Sequence, residues 1–240
     1  MKIGFVILSF NEVDGLTHYL PSIARMVNET PLNIFAVDGG SKDGSVQLYQ
    51  KYKIPYYIQE KKGRGEAFKL AFEKCADDAL IFFSPDGNED IADVPKFCAR
   101  LSEGADMIIA SRMRKGAQNE EDHLIFKWRK WVNQTFTLIA NILWNRSGRY
   151  VTDSINGFRA IRRDAWAKLR MTAGDYTVEY QSTIRAFKLH LKIMEFPTIE
   201  RQRLGGESNA KSLPTGIRFL KLLLQEIRLG KNFMTKGSAS

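Results

Sequence analysis

Short runs of β-branched, aliphatic and aromatic residues alternate with helical patterns through the first half of the chain. Ile3–Ser9, Asn33–Asp38, Tyr56–Gln59, Leu80–Ser84 and Met107–Ser111 read as strands. Helical stretches lie between them, near Val13–Val27, Asp43–Lys51, Gly65–Cys75 and Val94–Ser102. This alternation predicts right-handed crossovers and an α/β fold with a mostly parallel sheet covered on both faces. Ligands of such sheets bind beyond the carboxyl ends of the strands. The polar residues obey that rule, because the strands run into "SFNE" (Ser9–Glu12), "VDGGSKDGS" (Val37–Ser45), "SPDGNED" (Ser84–Asp90) and "ASRMR" (Ala110–Arg114). One such cluster is what any turn needs. Four on one edge of a sheet point to a site.

The second half changes character. Leu124–Trp144 carries apolar residues at 124, 128, 131, 138, 139 and 142, which is helical spacing with a wide apolar face. Leu213–Lys231 repeats the pattern, with Arg218, Lys221, Arg228 and Lys231 beside its leucines. Two readings stay open for these helices: packing on the sheet, or lying in a membrane interface as basic amphipathic helices do. No apolar run approaches the ~20 residues of a membrane span. "MKIGFVILSF" reads as a first core strand and not as a signal peptide, since it has no small-residue cleavage site.

Composition sharpens this picture at three points. The 240 residues suffice for one large domain, with 26% charged and 44% hydrophobic residues, as in ordinary globular proteins. A formal net charge of +9 favours an anionic partner: nucleic acid, a phosphorylated ligand or an anionic membrane surface. No nucleic-acid motif is recognisable, so the nucleic-acid reading is set aside. Cys75 and Cys98 have no metal spacing and are too few for a disulfide framework, which suggests a reducing compartment. His18, His123 and His190 are scattered and are read as ordinary surface or packing residues.

The strand ends carry the chemistry. Asp38 lies at the mouth of the sheet, where a carboxylate can accept hydrogen bonds from a ribose or a base edge. "KKGRGEA" (Lys61–Ala67) is a flexible basic loop opening a helix, but it lacks the third glycine of a dinucleotide fingerprint. Asp86 and Asn88 present two oxygens on one side of an extended turn, hard donors suited to Mg²⁺ or Mn²⁺. Such a cation makes sense beside a nucleoside diphosphate, whose charge it neutralises on departure.

Together these motifs resemble the family 2 glycosyltransferases of the GT-A fold, in particular the branch that transfers sugars to dolichyl or polyprenyl phosphate. "VILSFNE" looks like the opening strand motif of that family and "VDGGSKDGS" like its Val-Asp-Asp-Gly-Ser motif, with Gly39 in place of the second Asp. "IASRMR" resembles its Gly-Ser-Arg motif, "DSINGFRAIRRDAW" (Asp153–Trp166) its Ser-Gly-Phe-Arg segment and "RLGGESN" (Arg203–Asn209) its late Gly-Glu-Ser motif. The family's Asp-x-Asp-x-Gln reads here Ser84-Pro85-Asp86-Gly87-Asn88, so the first acid is lost.

The resemblance implies one GT-A domain over residues 1–230. Residues 1–115 would bind the nucleotide sugar and 116–230 the acceptor, with a tail at 231–240. It implies inverting transfer from a GDP- or UDP-sugar to a polyprenyl or dolichyl phosphate at the cytoplasmic face of a membrane. The donor would meet Ser9, Asn11, Glu12, Asp38, Gly40, Asp43, Arg64, Gly65, Ser84, Asp86 and Arg203. Arg112, Arg129 and Asn133 would hold the acceptor phosphate, and Asp86 and Asn88 the metal, with Asp86, Arg112 and Arg129 carrying the chemistry. A phosphate acceptor is already ionised near neutral pH, so it needs orientation and charge neutralisation more than a base. Asp153 and Glu179 are left with two roles open, orienting sugar hydroxyls or fixing an arginine. A hydroxyl acceptor, or a binding domain without turnover, are the alternatives.

Overall fold

The computed structural model describes residues 1–122, 127–205 and 212–234. Its centre is a seven-stranded sheet formed by β1 (Ile3–Ser9), β2 (Asn33–Asp38), β3 (Tyr56–Ile58), β4 (Ala79–Phe83), β5 (Met107–Ser111), β6 (Arg159–Arg162) and β7 (Ile193–Pro197). The spatial order is β3-β2-β1-β4-β6-β5-β7. All pairings are parallel except those of β6, which runs antiparallel between β4 and β5. The two halves of the chain therefore share one sheet.

The period-2 pattern of the strands decides which residue feeds which face. In β1, Phe5 and Ile7 join a core layer under α1 (Val13–Glu29), α2 (Ser45–Lys51) and α4 (Val94–Ser102). Val6 and Leu8 join the opposite layer, which packs beneath α3 (Arg64–Lys74), α5 (Trp128–Trp144), α6 (Arg163–Leu169), α7 (Val178–Lys188) and α8 (Ser212–Leu229). The five expected strands agree with the structure to within a residue at each end.

β6, β7, α6 and α7 have no counterpart in the sequence reading. Strand β6 opens with Arg159, a fully buried cation that looks wrong for a strand. Its guanidinium donates to the carbonyls of Ser154, Asn156 and Glu179 and to the hydroxyls of Ser182 and Thr183, so no donor is left to bulk water. Helix α7 is buried on every side, and its charged Arg185 and Lys188 both reach the buried Glu226 of α8. Residues 232–234 form a 3₁₀ turn with Phe233 buried against Arg185 and Lys188, so the fold continues past the expected start of the tail. His123, the opening 124–126 of the expected long helix and 206–209 of the late motif lie outside the described residues.

Both late helices pack on the sheet, as one of the two readings has it. α5 and α8 place Ala140, Phe219, Leu222 and Leu223 in the core. Each also keeps an apolar stripe exposed: Trp128, Trp131, Leu138 and Ile142 on α5, and Ile217, Leu220, Leu224 and Ile227 on α8. Among the described residues no helix is long and apolar enough to cross a membrane.

Candidate active site

A cavity of about 550 Å³ opens at the carboxyl ends of β1, β2, β4 and β5. Ser9, Glu12, Arg64, Ser84, Asp86, Asn88, Arg112, Arg129, Asn133 and Arg203 all line it. These groups are spread along the chain from Ser9 to Arg203; the sheet and its crossovers bring them together.

The remaining expected donor residues frame the cavity without lining it. Asp38 is fully buried, and its carboxylate accepts from Ser9 Oγ, Ser41 Oγ and the backbone N–H groups of Gly40 and Ser41. In this structure Asp38 holds its own turn closed through these four hydrogen bonds. Asn11 Oδ1 accepts the Lys42 N–H, and Asp43 accepts from Val13 N–H at the start of α1 and from Ser45 N–H at the start of α2. Gly40 sits in the left-handed region of that turn, at φ +85°. Gly65 packs its α-carbon against the carbonyl of Ala173, in the first turn of α3.

On the donor side Arg64 and Arg203 are both already engaged. Arg64 pairs with buried Glu179 through Nε and donates to Ser84 Oγ at 3.0 Å. Burial works against the Arg64 charge, but Glu179, Glu89 and Asp86 together more than offset it and hold the guanidinium above its ordinary pKa. Gly157 gives this arginine its room, since a Cβ there would lie 2.0 Å from Nη2. Arg203 bridges Glu12 and Asp86, 3.2 Å from the latter. Burial pushes the Glu12 carboxyl up to about 7, with Arg203 pulling the other way. Glu89, an acid the sequence reading passed over, folds back so that Oε2 accepts the Ser84 N–H at 2.7 Å. Burial, and then Asp86, hold its pKa well above the usual carboxylate range.

On the acceptor side the two arginines differ. Arg112 is gripped by Asp153, through Nε at 2.8 Å and Nη2 at 3.1 Å, and by Glu200 at 3.0 Å. Asp153 and Glu179, whose roles were open, are therefore both partners of arginines. Arg129, on the first turn of α5, is half-exposed and stands 3.5 Å from Glu120. Asn133 lies one turn further along the same helix. Glu120 and Glu200 were missed because each sits in an unpatterned segment, and their importance comes only from what they pair with.

The donors suit a divalent cation. Asp86 supplies a carboxylate, and Asn88 Oδ1 is a buried oxygen with no hydrogen-bond partner, an unusual cost unless a ligand completes it. Among the described residues no cluster of three or more His, Cys, Asp or Glu side chains is arranged to hold a metal. A cation here would take two protein oxygens and leave its other positions to phosphate and water.

The family profile of glycosyl transferase family 2 matches residues 5–170. The chain is a family 2 glycosyltransferase. It is 26% identical over 220 residues to the glycosyltransferase AglJ of Haloferax volcanii, covering 89% of this chain and 68% of that protein. Against the dolichol-phosphate mannosyltransferase of Pyrococcus furiosus it is 22% identical, covering 88% of this chain and 60% of the relative. Against the dolichyl-phosphate hexose transferase of Haloferax volcanii it is 24% identical, covering 85% of this chain and 84% of the relative. This glycosyltransferase thus spans about 60% to 84% of the length of these three relatives. Its fold matches glucosyl-3-phosphoglycerate synthase of Mycobacterium tuberculosis with a TM-score of 0.73 at 17% identity, over 93% of this chain and 79% of that one. That structure contains Mn²⁺, UDP-glucose and phosphoglyceric acid. The GT-A expectation is met in the fold, with helices on both sides of a mostly parallel sheet.

Proposed function

We propose that this glycosyltransferase moves a sugar, with inversion, from a nucleoside-diphosphate donor to a polyprenyl or dolichyl phosphate at a membrane surface. The observation that carries this reading is the arrangement of one cavity: Asp86, Asn88 and Arg203 at one end, Arg129 and Asn133 on α5 at the other. The diphosphate would lie over the β4 end, facing Arg203, and the acceptor phosphate would meet the α5 end. A divalent cation, Mg²⁺ or Mn²⁺, would be held by Asp86 and Asn88 and would neutralise charge on the departing diphosphate. Arg129 orients the acceptor phosphate, and its guanidinium can engage two oxygens at once. Arg112, tied to two carboxylates, fixes the floor between the two ends.

The lipid assignment draws on the exposed stripes. Trp128 lines the cavity and also begins the apolar stripe of α5, so the acceptor end of the cavity continues into an apolar surface. On α8 the exposed cations Arg218, Lys221 and Arg228 flank the second stripe, and exposed Lys231 follows just beyond the helix. Basic residues beside half-exposed apolar ones suit an anionic leaflet such as the cytoplasmic one, each contributing on the order of 1 kcal/mol.

A hydroxyl acceptor is favoured by one observation only. Glu120, a carboxylate that could accept a proton, lines the cavity, and burial, followed by Glu200, raises its pKa. A product assay separates the readings. Detergent-solubilised polyprenyl phosphate is offered with a panel of UDP- and GDP-sugars, in Mg²⁺, Mn²⁺ or EDTA. A lipid-linked monosaccharide that is lost with EDTA, and reduced at least ~100-fold by Asp86→Ala, is the expected result. Wild-type transfer by Asp86→Ala would remove the metal assignment. Transfer only to hydroxyl acceptors, controlled by Glu120, would replace the lipid reading.

A further inference from the structure

Arg203 reaches the β4 end from a segment that backbone contacts clamp onto the Asp86–Asn88 turn. The Leu204 N–H donates to the Asp86 carbonyl at 2.9 Å, and the Arg201 N–H to the Asn88 carbonyl at 3.1 Å. Gly87 makes this approach possible: it has φ +103°, and a Cβ there would lie 2.7 Å from the Leu204 nitrogen. From this anchored position each of the three guanidinium nitrogens of Arg203 donates to the chain. Nε donates to the Gly205 carbonyl at 2.8 Å, Nη1 to Asp86 Oδ2 at 3.2 Å and Nη2 to Glu12.

Asp86 is therefore already paired with a cation before any ligand arrives. It is also the single carboxylate in the proposed metal pair, because Ser84 stands where a second acid would increase attraction for the ion. A guanidinium on Asp86 and a divalent ion on the same carboxylate repel one another and contend for the same lone pairs. We propose that Arg203 occupies the cation's carboxylate in the unloaded enzyme, so that Arg203 and the divalent ion compete for Asp86. A nucleoside diphosphate offers Arg203 a better anion, draws it off Asp86 and thereby admits the ion. Diphosphate and cation then favour each other's binding, and by linkage the effect is reciprocal. This inference rests on reading the cavity as a nucleoside-diphosphate site.

The test measures binding and needs no turnover. Mn²⁺ is titrated into the full chain without nucleotide, with free Mn²⁺ read by electron paramagnetic resonance. Separately, UDP and GDP are titrated in EDTA by calorimetry. Arg203→Ala is expected to bind Mn²⁺ alone about tenfold more tightly than wild type, and to bind the nucleotide more weakly. Arg203→Lys, which keeps the charge, is expected to stay near wild type for Mn²⁺. Adding Asp86→Asn to Arg203→Ala is expected to abolish the gain, which places it at Asp86. The opposite signs matter, because a variant that merely disturbs the loop would weaken both ligands. Unchanged or weaker Mn²⁺ binding by Arg203→Ala, or a gain that survives Asp86→Asn, overturns the proposal. Failure of the donor reading looks different: wild type then binds neither UDP nor GDP, whatever the manganese titration gives.

Discussion

The two ends of the cavity handle positive charge in different ways. At the donor end, Arg64 and Arg203 are each paired with a carboxylate that is itself mostly buried, Glu179 and Glu12 respectively. At the acceptor end, Arg112 follows that pattern with a side chain 14% exposed, whereas Arg129 is 51% exposed and only loosely paired. Arg112, buried and held by Asp153 and Glu200, has little net charge to offer the acceptor and much structure to hold. A half-exposed arginine keeps its charge for whatever enters. Position in a family motif thus does not tell Arg112 from Arg129 as the holder of the acceptor phosphate, and the contrast in burial and pairing favours Arg129.

Exchanging the two arginines for alanine tests that contrast most strongly. Arg112→Ala leaves Asp153 buried and without its cation, and removal of one partner from a buried pair costs ~3–5 kcal/mol. A large drop in the midpoint of chemical denaturation is expected. Arg129→Ala removes an exposed, weakly paired charge and is expected to change stability by less than ~0.5 kcal/mol. Its effect should fall on the KM for the lipid phosphate. The contrast collapses if Arg112→Ala is as stable as wild type, or if Arg129→Ala transfers sugar with an unchanged acceptor KM.

The same distinction explains which parts of the molecule the sequence makes visible. Strands β1 to β5 are legible because their side chains alternate between two apolar layers and their ends carry turn residues. The cavity edge is legible for the same reason, since "SFNE", "SPDGNED" and "ASRMR" interrupt apolar runs at matching places. What hides is whatever depends on distant pairing. Arg64 and Glu179 are 115 residues apart, and Arg203 and Glu12 are 191 apart. β6 and α7 hide because polar residues fill them, and only the folded neighbours, such as Glu226 against Arg185 and Lys188, make those residues tolerable. Asp38 shows a role the motif does not reveal: its carboxylate also ties its own loop together through Ser9, Gly40 and Ser41.

The donor end can be probed through proton linkage. The folded-state pKa of Glu12 is about 7, above its ordinary 4.5, because burial disfavours the carboxylate more than Arg203 favours it. The folded protein therefore holds an extra proton between those values. The stability tied to this group is fully present below pH ~4.5 and is lost as pH rises through ~7. The shift corresponds to roughly 3 kcal/mol at most. Denaturation midpoints of wild type and Glu12→Gln, compared from pH 5 to 8, should diverge, with the variant gaining on wild type as pH rises. Parallel profiles would mean that Glu12 is fully ionised in the fold and that the donor end tolerates its charges as readily as the acceptor end.

The smallest effect concerns the surface beyond the acceptor end. Leu220 is 51% exposed in the middle of the α8 stripe, on a helix whose opposite face, Phe219, Leu222 and Leu223, is already buried in the core. Replacing it by serine therefore removes little packing and should leave the denaturation midpoint near wild type. If the stripe enters a leaflet, the same change loses the transfer of one aliphatic side chain, ~1–2 kcal/mol, or about tenfold in partitioning. Sedimentation with vesicles containing anionic lipid should show that loss, and raised salt should weaken wild-type binding through the flanking cations. Binding that is indifferent to Leu220→Ser and sensitive to salt alone would assign attachment to the basic residues. The apolar stripe would then have no part in bringing the cavity to its acceptor.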